Sequence, residues 1–323
     1  MSLTSMILLL ALGQQPATPP APAPKPGPAT QTDALAVQVA LDRAGFSPGV
    51  LDGRAGGNTK KALDAYVKAN GAEPPQIEST SKYQITEADA AGPFQAEIPA
   101  DLVEQAKLKS LGYRDLREAL AERFHATPAL LQRLNPAAQF VSGEEIVVPN
   151  VEPMVIAVSP PKTEAKATPA EKKAESQAAQ QAAKEKPPIT ITVTKSTSAL
   201  TVTDAAGKVM MYAPVTTGSE RDPLPIGDWK VNGVGFNPVF RYNPELFWDA
   251  DPTHNKAVIP AGPNNPVGLV WIDITKEHYG IHGSPEPANI GRSESHGCVR
   301  LSNWDALRLA AMVKPGTPVV FRP

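Results

Sequence analysis

The single cysteine of this chain sits in Ser295-His296-Gly297-Cys298-Val299-Arg300, and a second histidine, His282, lies sixteen residues upstream. A lone cysteine is most often a small core residue. Two histidines close in sequence, and the glycines Gly283, Gly291 and Gly297 in the intervening loop, point instead to a reactive thiol. The thiolate is the nucleophile, and a neighbouring imidazole takes the proton that the thiol gives up. Gly297 allows close backbone approach, so its N–H and that of Cys298 can point at a developing oxyanion. Arg300 alternates with Cys298, which on a strand puts both on one side, and a guanidinium there suits a substrate carboxylate. His282, His296 and Cys298 are also three possible zinc ligands. No nearby Glu or Asp stands out as the general base of such a site, so the expectation is thiol chemistry with no metal and no cofactor.

These residues need a scaffold, and from Ile189 onward the pattern is mostly β. Ile189, Ile191 and Val193 alternate with threonines, and Leu200 and Val202 repeat the alternation. Asp204-Ala205-Ala206-Gly207 reads as a hairpin turn into a strand over 208–215. Residues 267–274 and 318–321 are strand-like, and 303–312 is the one clear helix. The stretch 189–323 is long enough for one mostly β domain with a packed helix.

Ile281-His282-Gly283-Ser284, Gly291-Arg292 and Ser295-His296-Gly297-Cys298-Val299-Arg300-Leu301 resemble the signature of L,D-transpeptidase catalytic domains of the YkuD type. Thr217-Gly218, Leu224-Pro225-Ile226-Gly227, Asn265-Pro266-Val267-Gly268 and Gly316-Thr317-Pro318-Val319 extend the likeness from Ile189 to Phe321. Leu224 and Ile226 depart from the usual Thr-Pro-Thr-Gly, a difference read as confined to a surface turn. The resemblance implies a β-sandwich-like catalytic fold. It implies that Cys298 attacks the third residue of a peptidoglycan stem tetrapeptide and that D-Ala leaves. The thioester then passes to the side-chain amine of another stem as a 3→3 cross-link, whereas some relatives use an envelope lipoprotein or water as acceptor. On this likeness His282 is the base and the Gly283 carbonyl orients it. Ser295 and His296 shape the loop, with His296 also placed to polarise the thiol. Gly297 and Cys298 supply the oxyanion hole, and Arg300 either meets a substrate carboxylate or braces the loop through a salt bridge. Sortases space His and Cys more widely, and NlpC-type peptidases place Cys before His.

The remainder of the chain reads as binding modules and spacers. Over 33–75, Ala40-Leu41, Gly45-Phe46, Val50-Leu51-Asp52-Gly53, Gly57-Asn58-Thr59 and Asn70-Gly71 resemble the small helical peptidoglycan-binding domain of cell-wall enzymes, with Asn58-Thr59 expected to cap its second helix. Over 83–150, Leu116, Leu120, Phe124, Leu130-Leu131, Leu134-Asn135-Pro136, Gly143 and Ile146-Val147-Val148-Pro149 resemble a LysM module, with Tyr83-Gln84-Ile85 as its first strand. His125 is expected on a surface or boundary, His254 and His278 as surface or packing residues, and Trp248 and Trp271 in the core. From Ser159 to Pro188 there is no Val, Ile, Leu, Met or aromatic residue, so 151–188 is expected to be a linker that lets the last domain roam. Residues 1–32 hold a short apolar run, Met6 to Gly13, and then a Pro/Ala spacer, which together predict export to the periplasm or cell wall. A net charge of −2 argues against a nucleic-acid partner. The chain is thus expected to be multidomain: a small all-α unit, an α+β LysM-like unit and a mostly-β catalytic domain acting on peptidoglycan. The alternative is a wall-anchoring protein without catalysis.

Overall fold

A computed structural model describes residues 31–155 and 186–323; the expected export segment and most of the expected linker lie outside the described residues. The N-terminal unit is a pair of helices, α1 (Gln31–Arg43) and α2 (Gly57–Asn70). The Asp52-Gly53 turn between them is tied to α1, because Gln38 Oε1 accepts from Gly53 N–H and Gln38 Nε2 donates to Asp52 Oδ1, both at 2.9 Å. Helix α2 has Gly56 at its cap rather than a capping side chain. Asn58 instead donates to the Ile290 carbonyl at 3.0 Å, and the Thr59 hydroxyl accepts from Gln38.

In the middle unit β1 (Thr80–Gln84) and β2 (Glu145–Pro149) pair antiparallel, Tyr83 opposite Ile146. Between them run α3 (Glu87–Ala90), α4 (Leu102–Gln105), α5 (Leu116–Arg123) and α6 (Pro128–Leu134). Helix α6 starts as its sequence requires: the Thr127 hydroxyl accepts from Leu130 N–H and Pro128 occupies the first turn, where no backbone donor is needed.

The C-terminal domain is one eight-stranded sheet. Its strands are β3 (Ile189–Thr194), β4 (Ala199–Asp204), β5 (Val209–Pro214), β6 (Gly227–Phe236), β9 (Val270–Ile274), β10 (Gly280–His282), β11 (Val299–Arg300) and β12 (Pro318–Arg322). Their order across the sheet is β11-β10-β9-β6-β12-β3-β4-β5, and the pairs β10–β11 and β12–β3 are parallel. A two-stranded ribbon of β7 (Phe240–Tyr242) and β8 (Ala257–Ile259) lies apart from the sheet. Strand β6 curls the sheet: its first half pairs with β12, its second half with β9, and the register shifts between Val231 and Gly233. The two halves and helix α7 (Asn303–Met312) close on one core that includes Val202, Met211, Ile272, Ile281, Leu301 and Trp304. Leu224 belongs to that core at 2% exposure, so its departure from the motif is not confined to a surface turn.

The three units are not independent bodies. Leu35, Val39 and Leu51 share a core with Leu120, Phe124, Leu131 and Val148 of the middle unit. Phe46 stacks on Tyr212 of β5, and Leu111 packs with Tyr242 and Ile259. His125, expected near the surface, is buried. Its ring stacks on Trp304 with centroids 5.0 Å apart, and its Nδ1 lies 3.0 Å from Asp42 Oδ2. Asp42 also accepts from Arg308 of α7 at 3.1 Å, and Ser47 donates to Asp305 at 2.8 Å. Burial opposes the charge on Asp42, yet His125 and Arg308 beside it hold its carboxyl at about 2. The expected roaming of the catalytic domain is therefore corrected: whatever path the linker takes, buried polar and apolar contacts seat the domain on both modules. Asp42→Ala is expected to cost about 3 kcal/mol by removing the buried carboxylate that His125 and Arg308 share and leaving Arg308 only its longer contact with Asp305, and calorimetry should show one transition that moves down as a whole. Two separate transitions, with only the first displaced, would mean the units melt independently.

Candidate active site

The site is built on the short parallel pair β10–β11, where Ile281 is opposite Val299 and His282 is opposite Arg300. The chain leaves β10 at His282 and returns through the cysteine loop, whose ends are pinned. Ser295 N–H donates to the Thr217 carbonyl at 3.0 Å, and Thr216 and Arg300 exchange backbone hydrogen bonds at 3.1 and 2.9 Å. The Ser295 hydroxyl donates to the Cys298 carbonyl at 2.6 Å, which closes the loop on itself.

His282 is buried at the end of β10. Its Nδ1 lies 2.7 Å from the Gly283 carbonyl. A carbonyl only accepts, so Nδ1 carries the proton and Nε2 keeps its lone pair. Trp271, the residue opposite His282 on β9, stacks on the imidazole with centroids 5.4 Å apart. Burial and then the Arg300 charge push the imidazole pKa down to about 3, so it is neutral at physiological pH. Burial pushes the Cys298 thiol above its ordinary value, opposed by the Gly280 backbone and by Arg300. The thiol donates weakly to the His278 carbonyl at 3.9 Å, and no hydrogen bond joins it to His282. The pair is thus a neutral thiol and a neutral imidazole in the free protein, carried on adjacent strands: His282 is opposite Arg300, and Cys298 comes just before Val299, the partner of Ile281.

Gly297 has a left-handed φ of 103°, and a Cβ there would run into the Tyr279 ring, so only glycine fits before the cysteine. The Arg300 side chain forms no hydrogen bond or ion pair with the described residues, and its Nε is buried without a partner. Burial lowers its pKa, while the nearby Cys298 and Glu286 support the charge. The expected alternative, a salt bridge bracing the loop, finds no carboxylate in place among the described residues. His296 turns from the thiol: its Nε2 lies 2.8 Å from Asp249 Oδ1, with the rings of Phe247 and Trp248 at 5.0 and 5.9 Å. His282, His296 and Cys298 do not converge as ligands, and no group of three or more His, Cys, Asp or Glu among the described residues is placed to hold a metal ion.

Trp248 and Trp271 are not simple core residues. Trp248 is 54% exposed with the Arg221 guanidinium 4.3 Å above its ring, and Trp271 flanks the imidazole. His278 is exposed, as expected, but its carbonyl faces the thiol. His254 bridges Tyr242 and Asp101. Neither Asp249 as the partner of His296 nor Trp271 as the partner of His282 is marked by a local sequence pattern. The second follows from strand register alone, so knowing that β9 pairs with β10 would have exposed it.

Residues 188–321 match the family described as YkuD, L,D-transpeptidase catalytic domain. The Bacillus licheniformis protein named YkuD, assigned to the L,D-transpeptidases, is 46% identical over 61 residues, which are 19% of this chain and 37% of that protein. The Escherichia coli protein YbiS, named a probable L,D-transpeptidase, is 49% identical over 92 residues, 28% of this chain and 29% of that protein. The chain thus spans about a third of the length of these curated relatives. The crystal structure of L,D-transpeptidase 3 from Mycobacterium tuberculosis in complex with a faropenem-derived adduct aligns over 42% of this chain and 61% of that one, with 19% identity and a TM-score of 0.36. Residues 188–321 are an L,D-transpeptidase catalytic domain of the YkuD type.

Proposed function

We propose that this chain is a peptidoglycan L,D-transpeptidase in which Cys298 is the nucleophile and His282 the base. The observation that carries the reading is the tautomer of His282: the Gly283 carbonyl holds the Nδ1 proton, which leaves the Nε2 lone pair free on β10, the strand paired with the one that Cys298 leads into. On substrate binding the thiol proton passes to His282 Nε2 as Sγ bonds to the carbonyl carbon of the third stem residue. The oxyanion that forms is met by the Gly297 and Cys298 N–H groups. The C–N bond to D-Ala breaks, and the leaving amine takes the proton from His282. The side-chain amine of a second stem then attacks the thioester, gives a proton to His282 and expels the sulfur, which recovers that proton as thiol. The product is a 3→3 cross-link. Arg300 is proposed to meet the carboxylate of the departing D-Ala, since its guanidinium has no hydrogen bond or ion pair among the described residues and its charge reaches both His282 and Cys298.

The reading extends to the rest of the chain. Residues 33–75 and 83–150 are proposed to bind the wall and to act as docked modules rather than as a tether. Residues 1–32 are proposed to direct export.

Cys298→Ala is expected to remove D-Ala release from tetrapeptide-stem muropeptides by at least about three orders of magnitude, read by mass spectrometry of products, with an unchanged melting curve. Near wild-type release would remove the nucleophile assignment. His282→Gln should cost more in turnover than His296→Gln, because the His296 ring is bonded to Asp249 rather than directed at the thiol. The reverse ranking would exchange their roles. A thiol held above its ordinary pKa beside an imidazole neutral above about pH 3 has no stable thiolate near neutrality. Iodoacetamide labelling of Cys298 should therefore keep rising with pH through about 9. A rate plateau between about pH 5 and 8 would indicate a preformed thiolate–imidazolium pair.

A further inference from the structure

Glu122 of α5 is a buried carboxyl that belongs to the middle unit yet makes its side-chain hydrogen bond to the catalytic domain. Its Oε1 accepts from Asn303 Nδ2 at 2.8 Å, across 181 positions of sequence. The same Nδ2 donates to the Pro263 carbonyl at 3.2 Å, and Asn303 Oδ1 accepts from Leu269 N–H at 2.9 Å. The Asn303 carboxamide is therefore fixed at both ends. It lies directly against the backbone of Gly268 and Gly283, so closely that a Cβ on either glycine would overlap Asn303 Oδ1. Gly283 is the residue whose carbonyl holds His282 Nδ1, and its N–H donates to the Val270 carbonyl at 3.1 Å. A contiguous line of contacts thus runs from Glu122 through Asn303 and Gly283 to the imidazole.

The middle unit grips the neighbouring loop as well. Leu111 N–H donates to the Ala261 carbonyl, and the Leu111 carbonyl accepts from Asn264 N–H, both at 3.0 Å. Asn264 Nδ2 donates to the Gly112 carbonyl at 2.9 Å and to Glu118 Oε2 at 3.3 Å. Pro263, which shares Asn303 Nδ2 with Glu122, lies inside this gripped loop. The unit therefore reaches the back of the active site at two points rather than touching it at its rim.

We propose that Glu122 is a positioning residue for His282: by holding the Asn303 carboxamide against the Gly268 and Gly283 backbone it fixes the carbonyl that orients the imidazole, so the docked middle unit is part of the catalytic apparatus. This rests on the reading of His282 as the base. Misplacing a catalytic group by a fraction of an ångström to about 1 Å costs turnover far more than it costs substrate binding.

The test uses the full chain and its Glu122→Ala, Glu122→Asp and Glu122→Gln variants. D-Ala release from a tetrapeptide-stem muropeptide gives kcat and KM. The Nδ1–H resonance of His282, assigned with ¹⁵N-histidine labelling, reports the hydrogen bond to Gly283. Glu122→Ala is expected to lower kcat about tenfold or more with KM within about twofold, and to weaken or broaden that resonance. Glu122→Asp, one methylene too short to reach Asn303, should do the same and decides the matter if the alanine variant does not fold. Glu122→Gln keeps an acceptor for Asn303 and should retain wild-type kcat. Wild-type turnover together with undiminished kcat and an unchanged Nδ1–H signal in folded Glu122→Ala and Glu122→Asp overturns the positioning role. Absence of D-Ala release by the wild-type chain overturns the catalytic reading instead.

Discussion

Everything at the site depends on one register, His282 opposite Arg300 in the parallel pair β10–β11. Adjacent parallel strands cannot be joined by a tight turn, so the chain between them has to leave the sheet and come back. Here it comes back through a loop clamped by Ser295 and by the Thr216–Arg300 exchange. That clamp delivers Cys298 immediately before β11, on the strand next to the one that carries the imidazole. A slip of one residue would turn His282 to the other face of the sheet and separate the pair. The glycine before the cysteine is dictated by the same crowding, since the Tyr279 ring occupies the space of any side chain there.

Burial then sets the chemistry. Taking His282 and Cys298 out of water disfavours the charged form of each, and the Arg300 guanidinium further disfavours a protonated imidazole. The same guanidinium favours the thiolate, but not enough to overcome its burial. A thiol and imidazole that are both neutral at rest give little thiolate near neutral pH. Arg300 carries a desolvation cost with no hydrogen bond or ion pair among the described residues, offset only by the nearby Cys298 and Glu286. The scaffold beneath is stiffened from outside the domain: Trp304 is covered by His125, Arg308 by Asp42, and Asn303 by Glu122.

Much of the site was legible in the sequence because the chemistry demands particular residue types within short windows. The block Ser295 to Arg300 and His282 are such windows, and helix α7 was readable to its ends because Ser302 caps it and its apolar positions repeat at helical spacing. Strands β3 and β4 announced themselves through alternating apolar residues, buried on one face. Strand β6 did not: of its ten residues only Val231 is buried, so it carries no alternation to read. The docking of the modules was hidden for a different reason. It rests on Asp42, Ser47, Glu122 and His125, polar residues that look like surface positions until their partners, more than eighty residues away, are brought against them. The low-complexity stretch before Ile189 reads as a linker in the sequence, but such composition does not say that the units on either side of it stay apart.

The proposed transpeptidation requires a covalent thioester at Cys298, and that species can be weighed. Mixing the full chain with a purified disaccharide-tetrapeptide and quenching in acid should give, by intact-protein mass spectrometry, a protein heavier by the disaccharide-tripeptide acyl group, with free D-Ala in solution. The adduct should map to the peptide containing Cys298 and disappear on treatment with hydroxylamine. Release of D-Ala with no adduct at any quench time, or an adduct that persists in Cys298→Ala, would contradict the account.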